Sequence, residues 1–178
     1  MRIIGGSLGG RKFNPPARIP ARPTTDLVKE SLFNILQHTI DLEAIDVLDL
    51  FSGTGNIAYE FASRGANSVV AVEKDALSVK FIRDTCSLLR LEHCEVIAGD
   101  ALKMLPALAQ RRQFDVVFAD PPYALPQMGD LPDMVLNAGV LRPGGMLILE
   151  HTHNIDFENH DRCFRSKKYG SSFLSFFR

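Results

Sequence analysis

The hydrophobic pattern changes period several times along the chain, and each change marks an element. Val28, Leu32, Ile35 and Leu36 recur at i, i+4, i+7 and i+8, which predicts an amphipathic helix over residues 26–37. Thr25 suits its N-cap and Asp26 its first turn. From about residue 45 short apolar runs alternate with helical spacing. Val47–Phe51 reads as a buried strand running into Ser52-Gly53-Thr54-Gly55, and a helix follows from about 56 to 64, stopped by Gly65. Ser68–Val72 is a second strand ending at Glu73, and residues 75–90 have helical spacing. Cys94–Ala98 is a third strand, followed by Gly99-Asp100 and a helix to about 110. Phe114–Ala119 is a fourth, and 131–138 a further helix. Arg142-Pro143-Gly144-Gly145 is expected to turn the chain into a fifth strand, Met146–Leu149, ending at Glu150. Cys163–Lys168 and Phe173–Phe177 read as two strands around Gly170. At the N-terminus, Arg2-Ile3-Ile4 and Arg11-Lys12-Phe13 look like two short strands joined by a Gly-rich turn. Pro15, Pro16, Pro20 and Pro23 keep residues 15–23 extended or turning.

Strands that are nearly continuous in apolar residues and alternate with helices imply an α/β fold, a parallel sheet covered on both faces. Ligands of such sheets sit at the carboxyl ends of the strands. The chain places Asp49 in its first main strand, Glu73 at the end of the second, Asp100 after the third and Asp120 at the end of the fourth. Acids brought toward one edge by four consecutive strands need partners or a task.

Composition narrows the class. A chain of 178 residues is expected to form one core, and 46% hydrophobic with 23% charged residues is ordinary for a globular protein. No apolar run is long enough to span a bilayer, and Met1–Gly6 lacks the apolar core of a secretion signal. Cys86, Cys94 and Cys163 form no CxxC pair, which argues against a disulfide framework and a zinc site and fits a reducing, cytoplasmic setting. Charge is unevenly spread. Residues 1–30 carry six basic side chains against two acids, and residues 162–178 carry five and no acid, so the middle is acidic under a net charge of −1. Two basic ends that meet in space would make one patch for a nucleic acid; two that do not are merely solvated.

The sharpest chemical signal is Asp120-Pro121-Pro122-Tyr123, directly after the fourth strand. The prolines hold the chain rigid and leave carbonyls without local donors. A carboxylate and a carbonyl are both acceptors, so together they can grip the two hydrogens of an exocyclic amine, and Tyr123 can stack on a flat ring beside it. A Pro-rich turn closing a strand is the plainer reading. Gly53-Thr54-Gly55-Asn56-Ile57-Ala58 fits the GxGxxA dinucleotide fingerprint, with Glu73 placed to hold a ribose, so a nicotinamide or flavin enzyme stays in view. Asp49, four residues before Gly53, would repel a phosphate and welcome a cation.

These residues carry a resemblance. Val47–Gly55 resembles the S-adenosylmethionine-binding loop of Rossmann-like methyltransferases, and Asp120–Tyr123 their amino-methylating motif. Arg2-Ile3-Ile4-Gly5-Gly6, Gly10-Arg11, Arg22-Pro23-Thr24-Thr25-Asp26, Glu30-Ser31-Leu32-Phe33-Asn34 and Lys168-Tyr169-Gly170 are similar to the bacterial 16S ribosomal RNA (guanine(966)-N(2))-methyltransferase family, and the resemblance runs nearly end to end. It implies a mostly parallel seven-stranded sheet with helices on both faces and a small N-terminal β-hairpin extension. The expected division is 1–25 as a basic RNA-contacting extension and 26–178 as the methyltransferase domain.

The implied cofactor is S-adenosylmethionine. Asp49, Phe51, Gly53 and Gly55 would surround it, its methionine end lying near Asp49 and the glycine turn. Glu73 would take the ribose hydroxyls, and Asp100 and Ala101 the adenine. Asp120, Pro121, Pro122 and Tyr123 would form the catalytic set. Arg2, Arg11, Lys12, Arg22, Thr24, Arg165, Lys167 and Lys168 would meet the RNA. The implied partner is 16S rRNA or the small ribosomal subunit, with a monomeric enzyme, no membrane and no metal. Each acid has a plainer role open to it: Asp49 as a satisfied buried acid, Glu73 and Asp100 as helix caps. Adenine methylation of DNA, glutamine methylation of protein and a non-catalytic RNA-binding module are the alternatives on the same fold. The stretch 151–161, with His151, His153 and His160, matches no motif and is expected to be a solvated loop rather than a metal site.

Overall fold

The computed structural model describes residues 1–19 and 24–178. The strands are β1 (Asp46–Leu50), β2 (Ser68–Glu73), β3 (Cys94–Ala98), β4 (Phe114–Ala119), β5 (Leu141–Thr152), β6 (Cys163–Tyr169) and β7 (Ser172–Phe177). The helices are α1 (Asp26–Gln37), α2 (Asn56–Ser63), α3 (Ala76–Leu88), α4 (Ala101–Arg111) and α5 (Leu131–Asn137). One seven-stranded sheet runs in the order β3-β2-β1-β4-β5-β7-β6. The first five are mutually parallel; β7 is antiparallel to both β5 and β6. The order reverses at β1 and β4, which opens a crevice at their carboxyl ends.

Strand alternation sends successive side chains to opposite faces, and both faces of the central strands are buried. Val47, Val116, Phe118, Ile148 and Phe176 pack with α1, α2 and α3, where Leu32, Phe61 and Ile82 are buried. Leu48, Leu50, Val117, Ala119 and Leu149 pack with α4 and α5, through Leu105, Leu131 and Val135. Local signals explain the helix starts: Thr25, Asp75 and Asp100 each accept a backbone N–H of the first turn of α1, α3 and α4.

Three expectations change. Arg142-Pro143-Gly144-Gly145 does not precede β5 but lies inside it, as an irregularity between the pairs Phe114–Leu141 and Val116–Met146. Gly144 takes a positive φ of 82°, and a Cβ on Gly145 would sit 3.0 Å from Arg142 O and Asp115 O, so the glycines let the strand bulge rather than turn. The 151–161 stretch begins in β5. His151 is buried, with Nε2 2.7 Å from Ser175 Oγ on β7 and the ring edge-on to Phe157. The N-terminal arms pair antiparallel around one bridge, Arg2–Lys12, with Ile3 N–H donating to Arg11 O at 2.9 Å, but do not build two strands.

That N-terminal segment is fastened to α2. Ile4 N–H and Gly5 N–H each donate to the Glu60 carboxylate at 2.8 Å, and Leu8 N–H donates to Ser63 Oγ at 2.9 Å. Gly6 has φ 75° and lies so close that a Cβ would overlap Ser63 O. Beneath it, Lys29 Nζ lies 3.3 Å from Glu60 and 3.0 Å from Asn56 Oδ1, and donates to Arg2 O; both charged side chains are fully buried. Burial lowers the Lys29 pKa, which the Glu60 charge partly offsets.

Candidate active site

A cavity of about 810 Å³ opens at the carboxyl ends of β1, β2, β4 and β5. The turn between β1 and α2 shapes one side of it. Phe51 adopts φ 59° there, a left-handed conformation that costs a bulky residue about 1–2 kcal/mol. Gly53 and Gly55 follow at φ 56° and 77°. A Cβ on Gly55 would meet the buried Tyr59 ring at 2.6 Å, so only glycine fits. Phe51 and Gly53 line the cavity; Gly55 lies behind them as the N-cap of α2.

Asp49 is the unusual group. It lines the cavity yet is 2% exposed, and its Oδ2 has no hydrogen-bond partner among the described residues. Burial pushes its pKa up to about 7, the Ser52 hydroxyl and Ala58 N–H oppose this, and the Glu73 charge adds to it. A buried carboxylate so placed can pair with a cation brought from outside. Glu73, by contrast, is engaged: it accepts Gly53 N–H at 2.8 Å, Lys74 N–H at 2.9 Å and Asp75 N–H at 2.8 Å. Three donors leave a carboxylate with acceptor capacity to spare. Asp100 caps α4 through Leu102 and Lys103 N–H, the plainer role foreseen for it, while it and Ala101 also line the cavity.

Across the cavity stand Asp120, Pro121, Pro122 and Tyr123. Pro121 is buried and Tyr123 is exposed. The Pro122 carbonyl is taken by Leu125 N–H at 2.8 Å; among the described residues no hydrogen bond reaches the Pro121 carbonyl. One end of the cavity thus suits a cation and the other an amine on a flat ring.

The structure brings together Asp49, Phe51, Gly53, Glu73, Asp100, Ala101 and the Asp120–Tyr123 tetrapeptide, with Thr24 at the rim. Thr24 O accepts Asn56 Nδ2–H at 3.1 Å. The described cations expected to contact RNA, Arg2, Arg11, Lys12, Arg165, Lys167 and Lys168, do not line the cavity. Arg2 is engaged by Asp26 at 2.8 Å and Glu30 at 3.8 Å. Arg11 and Lys12 are exposed on the N-terminal arm, and Arg165, Lys167 and Lys168 on edge strand β6. α1 packs against β6, so both groups flank one helix. Arg22 lies outside the described residues. Sequence reasoning did not assign Lys29 and Asn56, which hold Thr24 and the N-terminus together, nor Glu150, which lines the cavity from β5. Glu150 carried the same signal as the other acids, an acid at the end of an apolar run.

Sheet order, the glycine turn and the acids at the strand ends define a Rossmann-like methyltransferase fold. The family model described as Conserved hypothetical protein 95 matches residues 1–178, and the chain belongs to that family. Ribosomal RNA small subunit methyltransferase D of Escherichia coli K12 is 33% identical over 152 residues, 84% of this chain and 74% of that protein. A solved hypothetical protein of Thermus thermophilus superposes with TM-score 0.85 at 29% identity, covering 100% of this chain and 99% of that one. The fold is also that of the Thermus thermophilus 16S rRNA N2 G1207 methyltransferase, solved with AdoMet and guanosine: TM-score 0.73, 24% identity, 100% of this chain and 49% of that chain.

Proposed function

We propose that the protein methylates the 2-amino group of a guanine in 16S rRNA, guanine 966 by family resemblance, using S-adenosylmethionine, with the small ribosomal subunit or its assembly intermediate as substrate. The observation that carries this reading is a single cavity joining buried Asp49 to Asp120-Pro121-Pro122-Tyr123. When bound, S-adenosylmethionine supplies an electrophilic methyl group on a positively charged sulfur. The chain's residues fit it: Asp49 has a buried oxygen with no donor among the described residues to balance positive charge, Phe51 and Gly53 shape the turn, Glu73 has capacity left for ribose hydroxyls, and Ala101 offers an N–H at the start of α4.

Asp120 and the Pro121 carbonyl hold the amine so that its lone pair faces the methyl donor. Such positioning supplies a large share of a barrier reduction. Asp120 then accepts the proton that the nitrogen sheds. Tyr123, exposed at the mouth, stacks on the base, which must leave its RNA stack to enter. Residues 1–25 and β6 present Arg11, Lys12, Arg165, Lys167 and Lys168 to the phosphates.

The test is transfer of labelled methyl from S-adenosylmethionine to small subunits lacking the modification, with free 16S rRNA and duplex DNA alongside. Label recovered as 2-methylguanosine, and reduced about 100-fold or more in Asp120→Ala with cofactor binding kept, is the expected result. Label on DNA adenine, or none on RNA, overturns the substrate.

A further inference from the structure

The proposed chemistry gives no role to Glu150, an acid that also lines the cavity. Glu150 is 4% exposed, sits near the end of β5 and lines the same cavity as Asp120. Its position follows from register. Ala119 of β4 is paired with Leu149 of β5 at the end of the parallel ladder, and continuing that register by one residue sets Asp120 beside Glu150. Neighbouring strands are about 4.8 Å apart. Alternation also settles the face. Phe118 and Ile148 lie in the core beneath α1–α3, and Ala119 and Leu149 in the core beneath α4 and α5. Asp120 and Glu150 therefore return to the face of Phe118 and Ile148, which is also the face of Asp49, paired with Phe118. On the far side of β5, Glu150 is paired with Leu174 of β7, and Ser172 of β7 lines the cavity too.

We propose that Glu150 makes the site select guanine: its carboxylate accepts the ring N1–H of the flipped base while Asp120 and the Pro121 carbonyl hold the 2-amino group. The inference rests on the reading given under Proposed function and adds the basis of its specificity. A tetrapeptide that grips an amine does not by itself distinguish one base from another, because adenine, cytosine and guanine all carry exocyclic amines. They differ beside the amine. Guanine presents a second donor, N1–H; adenine and cytosine present a ring-nitrogen lone pair. A carboxylate in its ionised form only accepts, so Glu150 in that form complements guanine and opposes a lone pair in the same place. Sites built this way reject the mismatched partner strongly, because a buried polar group is left facing another of the same kind. The ordinary alternative is an acid that ties β5 to its surroundings. That role lowers methylation of every base alike and leaves the choice between bases unchanged.

The ratio between two bases separates these roles. Small subunits are reconstituted with 16S rRNA carrying guanine or 2-aminopurine at the methylated position; 2-aminopurine keeps the amine but has a lone pair at N1. The full-length native protein is expected to prefer guanine by about 100-fold or more. In Glu150→Gln the side-chain amide can donate to that lone pair, and the preference is expected to fall at least tenfold with cofactor affinity unchanged. Glu150→Asp, which keeps an acceptor, retains the guanine preference at a lower rate. A native protein that methylates guanine and 2-aminopurine equally overturns the inference without any variant, as does a Glu150→Gln protein that loses rate on both bases and keeps the native ratio. No methyl transfer to guanine-bearing subunits by the native protein sinks the underlying function instead, and this inference with it.

Discussion

The two ends of the same two strands treat their acids differently. At the amino ends of β1 and β4, Asp46 accepts Asn67 Nδ2–H at 2.8 Å and Ser68 Oγ–H at 2.6 Å, and Arg142 bridges it to Asp115, at 2.5 Å to each. Asp115 also accepts Asp46 N–H at 2.8 Å. At the carboxyl end of β1, Asp49 is more deeply buried yet keeps an oxygen with no donor among the described residues. The pKa values diverge accordingly. Burial works to raise that of Asp46, but hydrogen bonds from Ser68, Asn67 and Arg142 outweigh it and hold it low; burial of Asp49 wins and takes it to about 7. Where no ligand is expected the fold completes its own acids. Where the proposed cofactor would bind, Asp49 keeps an oxygen with no donor among the described residues.

Removing the charge at each end should therefore have opposite consequences. Asp49→Asn is expected to lower cofactor affinity about 10- to 100-fold, as loss of a charged hydrogen bond implies, measured by calorimetry, while the free protein melts at a higher temperature. A variant that binds as tightly as the native protein breaks the comparison. Arg142→Met has the smaller, purely structural effect. Its side chain is 41% exposed and screened by solvent, so its loss should cost about 1 kcal/mol in denaturant unfolding, with methyl transfer per folded molecule unchanged.

The pH dependence sharpens the contrast further. An acid whose folded pKa is lowered stabilises above its unfolded value, near 3.8, and loses that contribution as pH falls; this is Asp46. An acid whose folded pKa is raised does the reverse: between pH 3.8 and about 7 the unfolded state gives up its proton first, so stability declines as pH rises and levels off above about 7. Thermal melts of the free protein should show the Asp49→Asn advantage at pH 8 shrinking toward pH 4, and the Arg142→Met deficit shrinking on acidification. Cofactor binding should tighten as pH rises through about 7. A pH-independent difference between native and Asp49→Asn melts would mean that Asp49 has another partner.

How far the sequence could be read depended on how local each signal was. The bounds of α1, β3 and β4 follow from neighbouring residues, a cap and a periodic stripe or a short apolar run, and they stand where the pattern placed them. Arg142–Gly145 carried a turn signal, yet β4 pairs with β5 on both sides of it and absorbs the glycines as a bulge. His151 looked solvated because the strand that covers it, β7, returns only at residue 172. Asp100 is both a cap and a wall of the cavity, two roles that one residue type satisfies and no spacing separates. Lys29 lay on the expected helix, but its partner Glu60 is 31 positions away.

By itself the sequence determined which segments are strands and helices, the glycine turn after β1, and the presence of acids and the Asp120-Pro121-Pro122-Tyr123 tetrapeptide at strand ends. These depend on backbone preferences and on contacts a few residues apart. The tertiary structure decided which acids are completed and which are left open, and which acids are neighbours. Asp46 and Asp49 are three residues apart on one strand and similar in sequence context; Asn67, Ser68 and Arg142 reach only the first. Asp120 and Glu150 are 30 residues apart, and the β4–β5 register, continued by one residue past Ala119–Leu149, brings them together. A shift of one residue in that ladder would send Glu150 to the opposite face, and register is set by long-range pairing and core packing rather than by residues near in the chain.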